Sequence, residues 1–489
     1  MSQNSYPAIK TPVSDKNNFS TSSSGALNVE QVHAIEQVSA HFGIQDNIFA
    51  LRIGIGQFPE VSGGLFNVES GPTSTGISVL ATKTEASCRV GQGLIAALST
   101  VFGPAQPNNT QIAGLLHAES VFAFGYDGET FGIVSAKGGV LEYRELAVTT
   151  GAAGAEDATI TVDGIVFTVP LLAGSPQFNA FQIATYLDAA DTRYKFTSNG
   201  DVVTVLARLP ESGGGTFSFT SNTAVAAFST VTSHQAPVET WVHQDKWDNT
   251  DISFNPELGN TYRVELQCSG FTGAAFYMVD PKTETMELVH RIAYADTAVS
   301  PIASSPSYRA GWVSRNNGSA TSVIISGSEA GMFREGGPNL TVNPQGFCHT
   351  QLGVGVLPTN VLAFRNRTTF LGVANRAQIF TLLMTLSTDG QKGAVFEVLR
   401  NPTIAPADSL DWDYIDVNSS LMEVASDEVT VLSGEVLACF NVSATGSLLI
   451  DIARILGRIA PEDTFLISAR VPSGSSADMD ASLTWSNNL

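Results

Sequence analysis

The segment from residue 241 to residue 251 combines aromatic and acidic side chains at close spacing. Its members are Trp241, His243, Asp245, Trp247, Asp248 and Asp251. The three aspartates are three residues apart, as on one turn of a helix. Carboxylates hydrogen-bond sugar hydroxyls and an indole face stacks on a sugar ring, so the segment predicts a carbohydrate-binding surface. The alternative is that both tryptophans anchor the core, because tryptophan is largely buried in most proteins.

Two other groups have the composition of a reactive or metal-binding site. His117 and Glu119 would point to the same face of a strand, a common exposed arrangement, and we assign them no role. Three aspartates, at Asp411, Asp413 and Asp416, offer oxygen ligands for Ca²⁺. Their segment lacks the glycine and the terminal glutamate of an EF-hand loop, so a solvated loop or strand face is favoured. We predict no metal and no cofactor.

The sequence shows no motif of a familiar catalytic type. It lacks the Gly-x-Ser-x-Gly elbow, the His-Glu-x-x-His helix and the phosphate-binding loop, and Gly54-Ile55-Gly56 is better explained as a strand bend. The sequence does not exclude a carboxylate pair for glycoside cleavage, because the distance between two carboxylates is a spatial property. The prediction is a protein that is not an enzyme.

The composition of the chain indicates which kinds of partner it can bind. The 489 residues carry a formal net charge of −21 without any run of lysine and arginine. Binding to a phosphate backbone needs clustered positive charge, so we expect no nucleic-acid partner. There is no apolar stretch of about 18 residues and no basic leader followed by an apolar run, so we expect neither membrane insertion nor classical secretion. The cysteines are far apart and are expected to be buried free thiols: Cys88, Cys268, Cys348 and Cys439.

The sequence predicts that these residues are carried by a scaffold of β-hairpins. Residues 122–133 read FAFGYDGETFGI, with an Asp-Gly pair between alternating apolar residues. A two-residue turn at Asp127-Gly128 would place Phe124 opposite Phe131 and bury one face of the sheet. The sequence therefore predicts a mainly β chain, built from antiparallel β-sandwich or jelly-roll domains.

An inserted ββαββ subdomain is predicted between residues 149 and 235. Hairpins that turn at Asp163-Gly164 and Asn199-Gly200 flank a helix over residues 176–190. Ser175 is the expected N-cap and Pro176 the first helical residue. Apolar residues then follow at helical spacing: Ala180, Ile183, Ala184 and Leu187.

The subdomain interrupts a sandwich domain formed by residues 26–148 and 236–335, in which residues 143–148 close the first set of strands. Residues 1–25 are rich in Ser, Asn and Thr and predict a flexible arm. Asn28 is a suitable N-cap for a short helix that ends at Gly43. An extended strand fits the same residues nearly as well. The stretch Gly336-Gly337-Pro338-Asn339 predicts a linker, and residues 340–489 predict a C-terminal β-sandwich domain.

Several segments together resemble a known class of protein. They are Thr110-Gln111-Ile112-Ala113-Gly114, the hairpin of residues 122–133, Tyr143-Arg144-Glu145-Leu146 and Gly259-Asn260-Thr261-Tyr262-Arg263-Val264. In these segments the chain resembles virion structural proteins of tailed phages and large DNA viruses, found as fibre, vertex, tail or minor capsid components. The resemblance covers about residues 85–335, with shorter matches near 387–390 and 399–402. It departs at Cys88-Arg89-Val90-Gly91, where an aromatic residue is expected beside the arginine.

The resemblance implies a virion protein that forms a homo-oligomer, expected to be a trimer. Its other expected partners are capsid or tail proteins of the same particle and a glycan on the host surface. The matching residues are turn and core residues, so the resemblance implies architecture and setting rather than an activity. The alternative function is a lectin-like carbohydrate-binding protein or a glycan-cleaving enzyme on the same sandwich.

Overall fold

The computed structural model confirms a mainly β chain made of antiparallel sandwiches. It describes residues 32–488, except for 46–47, 54–57, 88–91, 192, 209–215, 234, 269, 298, 304–306, 336–343, 372, 376, 390–391, 407–409, 462 and 475. The predicted N-terminal arm, the glycine-rich linker and the segment 88–91 lie outside the described residues. No helix in the described part of the chain is long and apolar enough to cross a membrane.

The strands before the insertion are β1 Val32–Ser39, β2 Ile48–Ile53, β3 Glu60–Ser62, β4 Leu65–Glu69, β5 Ile77–Thr82, β6 Ala86–Ser87, β7 Gly93–Val101, β8 Asn109–His117, β9 Ser120–Asp127 and β10 Thr130–Lys137. The inserted region contains β11 Tyr143–Thr150, β12 Glu156–Val162, β13 Ile165–Leu171, α1 Pro176–Ala190, β14 Tyr194–Asn199, β15 Val202–Ala207, β16 Ser218–Thr220 and β17 Val225–Thr232. The chain then returns through β18 Val238–His243, β19 Asn260–Gln267, β20 Ala274–Val279, β21 Met286–Ile292, β22 Ser307–Asn316 and β23 Ile324–Glu335.

Two sheets form the first sandwich. The first has the order β21-β20-β19-β7-β23-β4-β3 with β1 beside β23, and the second has the order β18-β10-β9-β8-β22-β5-β2 with β6 beside β22. The alternation of Tyr262, Val264 and Leu266 in β19 turns these side chains inward, where they meet Phe122 and Phe124 of β9 in one core. Strands from both sides of the insertion therefore share each sheet.

The register of the predicted β9–β10 hairpin was wrong. Phe124 lies opposite Ile133, and the turn residues are Gly128 and Glu129. Of these two residues Gly128 alone has a positive φ, 58°, which fits a type II′ turn. The neighbouring strand β8 explains the shift, because Asp127 pairs with Thr110 and the Gly128 N–H donates to the Asn109 carbonyl at 2.9 Å.

The second sheet also differs from the expectation of a single buried face. Inward-facing Phe122, Phe124 and Ile133 are buried, and so are Ala123 and Val134 on the outer face. The outer face is covered because other parts of the chain fold back over it, which the local alternation of β9 and β10 could not reveal.

The inserted region has its own core. Its sheets have the orders β14-β15-β11-β17 and β13-β12-β16, and α1 packs between them with the predicted apolar residues buried. Helix α1 begins and ends as predicted, and the Ser175 hydroxyl accepts the Phe178 N–H at 3.2 Å. The Asp163-Gly164 turn is also confirmed, whereas the second hairpin turns one residue later than predicted, at Gly200-Asp201.

Two elements near the predicted boundaries were wrongly placed. Strand β11, expected to close the first set of strands, instead pairs with β15 and β17, because Leu146 and Val148 face the core of the inserted region. The helix expected up to Gly43 is wrong for residues 32–39, which form β1 against β23. Pairing along a sheet edge outweighs a weak helix preference there. A short 3-10 helix, Ala40–Phe42, follows and ends at Gly43 with a φ of 77°.

The C-terminal part forms another sandwich with its own core. Its strands are β24 Pro344–Val354, β25 Thr359–Asn366, β26 Thr369–Phe370, β27 Val373–Ala374, β28 Gln378–Thr388, β29 Ala394–Ala405, β30 Asp413–Tyr414, β31 Met422–Ala425, β32 Thr430–Val442, β33 Ser447–Asp451, β34 Arg458–Ile459, β35 Thr464–Arg470 and β36 Ala477–Asn488. One sheet has the order β24-β36-β28-β33 with β34 beside β28, and the other has the order β30-β31-β25-β32-β29-β35. Short 3-10 helices also occur at Gln244–Lys246 and Ile452–Arg454.

The three cysteines that the structure describes do not match the expectation of buried free thiols. Cys268 is buried and disulfide-bonded, whereas Cys348 and Cys439 are exposed free thiols on β24 and β32. Both exposed residues lie on outward-facing strand positions, where alternation rather than hydrophobicity decides burial.

Candidate functional site

The aromatic and acidic residues of the predicted sugar-binding surface do not converge. Trp241 and His243 end the edge strand β18, and a single 3-10 turn, Gln244–Lys246, replaces the helix that would have aligned the aspartates. Asp245 pairs with Lys246 at 3.2 Å, and both side chains are exposed. Asp248 instead accepts the Arg291 N–H at 2.8 Å and lies 3.1 Å from His290 Nδ1. Asp251 is exposed in the loop that follows, where its N–H donates to Asn249 Oδ1.

The two tryptophans of this segment lie on opposite faces of the second sheet. Trp247 is 5% exposed, contacts Phe124, Phe131 and Phe254, and donates from Nε1 to the Val242 carbonyl at 3.1 Å. Trp247 offers no ring face to a ligand. It is a core residue, and its predicted role in a binding surface was wrong. Trp241 is half-buried against the outer face of the sheet and donates to Glu239 Oε2 at 3.2 Å.

The other candidate groups occupy structural positions. Glu119 is buried rather than exposed, and its N–H donates to His117 Nδ1 at 3.1 Å in the turn between β8 and β9. Asp416 accepts the N–H groups of Asn418 and Ser419, and hydrogen bonds from Ser419 and Asn418 lower its pKa. Asp411 and Asp413 are exposed. Within the described ranges, no three His, Cys, Asp or Glu side chains are grouped to hold a metal ion.

A cleft of about 190 Å³ lies where the inserted region and the C-terminal sandwich meet the first sandwich. Its floor is the outer face of the second sheet, formed by Ile77, Val79, Ile112, Leu116, Val121 and Val313. Leu141 and Leu206 of the inserted side, and Ala460 and Pro461 of the C-terminal side, complete the lining. These strand positions alternate with the inward-facing core residues, so their apolar side chains lie on the outer face of the sheet.

Partly buried ion pairs surround the apolar floor. Arg309 lies 3.2 Å from Glu85, Arg315 pairs with Glu239, and Arg400 Nη2 lies 2.9 Å from Asp463. The Arg309 guanidinium also lies over the Phe49 ring, 4.6 Å from its centroid. These pairs fix the long side chains around the cleft, so its charges are held in place.

Polar contacts join the three regions that meet at the cleft. Arg365 of β25 donates to the Ser198 carbonyl of β14 at 3.3 Å, and Asn199 Nδ2 donates to the Tyr414 hydroxyl at 3.0 Å. Gln378 of β28 donates from Nε2 to the Glu85 carbonyl of the first sandwich. The inserted hairpin therefore contacts the C-terminal sandwich, and that sandwich contacts the first one.

The cleft was not found in the sequence, because its parts come from segments separated by hundreds of residues. A signal was present in the apolar residues at both inward and outward positions of β5 and β8, as in strands buried on both faces. That pattern indicates a covered sheet but does not indicate what covers it.

A separate buried carboxyl group lies on the outer face of the first sheet. Burial raises the pKa of Glu265 from 4.5 to about 7, although the charge of Arg263 opposes this shift. Burial and the neighbouring Glu265 raise the pKa of Tyr277 to about 12. The group lies on a different sheet from the cleft floor, and it makes stability depend on pH.

Comparisons with known proteins give no family. No family model and no curated protein matches the chain. Among solved structures, a legume lectin-like domain from Entamoeba histolytica is 8% identical over 58% of this chain and 88% of that one, with a TM-score of 0.22. Lectin II from Ulex europaeus is 11% identical over 62% and 100%, also with a TM-score of 0.22. The infectious bursal disease virus VP2 subviral particle is 9% identical over 82% of each chain, with a TM-score of 0.10. These scores are too low to carry an argument about function.

Proposed function

We propose that the chain is a structural protein of a virion surface, a component of a fibre, tail, vertex or minor capsid. In this role it assembles with copies of itself and with capsid or tail neighbours, and its loops contact the host surface. The observation that carries the proposal is the joining of three β cores around one sheet that is buried on both faces. Such a construction gives a scaffold of fixed shape, which an assembly component requires.

The contacts between the regions support a role as a rigid scaffold. Arg365 is held by Glu423 at 2.5 Å and by the Trp412 ring at 4.2 Å while it donates to Ser198. A charged hydrogen bond with a fixed guanidinium is directional, so it resists sliding of the inserted hairpin against the C-terminal sandwich. Close-packed cores transmit force with little compression.

The segments that resemble virion proteins lie in and around the second sheet. Residues 110–114 belong to β8, and residues 122–133 form the β9–β10 hairpin beside it. Residues 143–146 begin β11, and residues 260–264 begin β19 in the facing sheet. Two of the four segments thus lie in the sheet on which the other two regions converge, and this favours an assembly role over an enzymatic one.

Two measurements on the full-length chain and its particles test the proposal. Light scattering on the purified chain should give the mass of a closed oligomer, with a trimer expected. Antibodies against the chain should label intact particles in electron micrographs. A monomer at all concentrations together with unlabelled particles would contradict the proposal.

A carbohydrate-binding protein is the second candidate, and the cleft is the observation that favours it. Clefts between domains are common sites for small ligands. A glycan array would show binding, and an assay for released reducing sugar would distinguish a lectin from a glycan-cleaving enzyme. Sugar release that is lost on substitution of one Asp or Glu in a folded variant would contradict the structural proposal.

A further inference from the structure

The cleft between the three regions concentrates positive charge in an acidic chain. Its cationic lining residues are Lys83, Lys195, Arg208, Arg309, Arg315 and Arg400, and its carboxylates are Glu85, Glu239 and Asp463. Cations thus outnumber carboxylates by six to three, although the whole chain has a net charge of −21. A cleft with low-dielectric walls focuses such a field, so the site attracts an anion.

Ion pairs account for much of this charge but not for Lys83. Arg309, Arg315 and Arg400 each have a carboxylate partner in the lining, and Asp188 lies 2.8 Å from Lys195 and 3.7 Å from Arg208. Among the described residues no carboxylate lies within ion-pairing distance of the half-buried Lys83. Glu36 interacts with its charge only from further away. Lys83 is therefore the cation that remains available to an anionic group in the cleft.

Gln378 supplies a second, independent observation. It is 1% exposed and lines the cleft, where its Nε2 donates to the Glu85 carbonyl. Its Oε1 atom is buried and has no hydrogen-bond donor. A buried acceptor without a donor is costly, so a hydroxyl or amine of a bound molecule would satisfy it.

The remaining surface of the cleft is apolar. Ile112, Val79 and Val313 of the second sheet face it, and Leu206 faces them from the inserted region. A ligand that suits all three features carries an anionic group, a hydroxyl donor and a face of C–H groups. A sugar ring that bears a carboxylate has all three. The volume of about 190 Å³ is below the roughly 300–1,000 Å³ of drug-sized pockets, so it suits one ring rather than a chain of sugars.

We propose that this cleft binds an acidic monosaccharide unit, with Lys83 on the carboxylate, Gln378 Oε1 on a hydroxyl and the outer face of the second sheet under the ring. The inference rests on the proposed function in one respect, since an acidic glycan of a host surface would be the natural source of the unit.

Titration of the purified full-length chain with D-glucuronate and D-glucose, followed by ligand-observed NMR, tests the proposal. Glucuronate should bind, and glucose should bind about tenfold more weakly, because it lacks the charged hydrogen bond. The Lys83→Gln variant should bind glucuronate about tenfold more weakly than the native chain. Lys246→Gln is the matched control, because Lys246 is exposed and lies on the 3-10 turn after β18 rather than in the cleft lining. It should bind glucuronate as the native chain does.

Three results would overturn the proposal. They are no saturable binding of glucuronate, equal binding of both sugars, and equal binding by Lys83→Gln and the native chain. Decanoate is the competing probe, and binding of decanoate without glucuronate would show that the cleft takes an aliphatic acid instead. Each result concerns the purified chain only, so it is separate from whether the chain is found in particles.

Discussion

Asn199 Nδ2 donates to the hydroxyl of Tyr414 at 3.0 Å, across a sequence separation of 215 residues. Asn199 is the last residue of β14, next to the turn of the inserted hairpin, and Tyr414 lies in β30 of the C-terminal sandwich. The Arg367 guanidinium lies over the Tyr414 ring, 4.1 Å from its centre. The inserted region is thus held at its hairpin tip as well as at its two chain connections.

Replacing Arg365 by Met should destabilise the C-terminal sandwich and loosen the inserted hairpin. The substitution leaves the Glu423 carboxylate, whose side chain is 6% exposed, without its partner, and removes the bond to Ser198. We expect a loss of about 2–3 kcal/mol in the free energy of unfolding. Denaturant unfolding measures this loss, and hydrogen exchange in residues 194–207 should accelerate.

Arg470→Met is the control for that substitution. Arg470 lies 4.0 Å from Glu397 and is 40% exposed, so the loss should be below about 1 kcal/mol. Equal effects of the two substitutions, or unchanged exchange in the hairpin, would show that Arg365 does not hold the regions together.

Glu265→Gln should make the chain less sensitive to pH. The folded-state pKa of about 7 lies above the ordinary 4.5, so the folded chain holds a proton that the unfolded chain releases between these values. The stability from this group is fully present below about pH 4.5 and is lost as the pH rises through 7, by about 3 kcal/mol in all. Unfolding of both proteins at pH 5 and pH 8 measures the difference. The variant should gain stability over the native chain from pH 5 to pH 8, and a constant difference would contradict the assignment.

Gly128→Ala should cost about 1 kcal/mol because the turn needs a positive φ, which alanine adopts poorly. A methyl group at this position would meet no atom closer than 3.8 Å, so the cost comes from backbone strain alone. Gly154→Ala is the matched control, since Gly154 has open space and no positive φ. Thermal unfolding compares the two variants. A neutral Gly128→Ala variant would indicate that the hairpin turns elsewhere.

Trp247→Ala should lower the free energy of unfolding by about 3–5 kcal/mol, the usual cost of removing a buried aromatic side chain. Trp241→Ala should cost less, because Trp241 is only half-buried. Unfolding of both variants checks the order. A Trp247→Ala variant with native stability and altered sugar binding would restore the surface role that the sequence suggested.

Local features could be predicted from the sequence because local chemistry decides them. Ser175 and Pro176 define the start of α1, and Asp163-Gly164 defines a turn whose register depends on little else. The turn predicted at Asp127-Gly128 was wrong because pairing with β8 holds Asp127 in the sheet. The position of a turn therefore depends on neighbouring strands as well as on its own residues.

The cleft could not be predicted, because its contacts are long-range. Gln378 and Glu85 are 293 residues apart, and the sequence around neither residue indicates a contact with the other. The sugar-binding surface predicted for residues 241–251 was wrong for a related reason. Its composition suits a binding surface, but the direction in which Trp247 points is set by packing against Phe254 and Phe131.

Quantitative mass spectrometry of gradient-purified particles is the decisive test of the proposed virion role. Peptides of this chain should sediment with the particles, in a fixed ratio to the major capsid protein that persists after a salt wash. Recovery of the chain only in the soluble fraction, with none in the particle band, would contradict the proposed virion role.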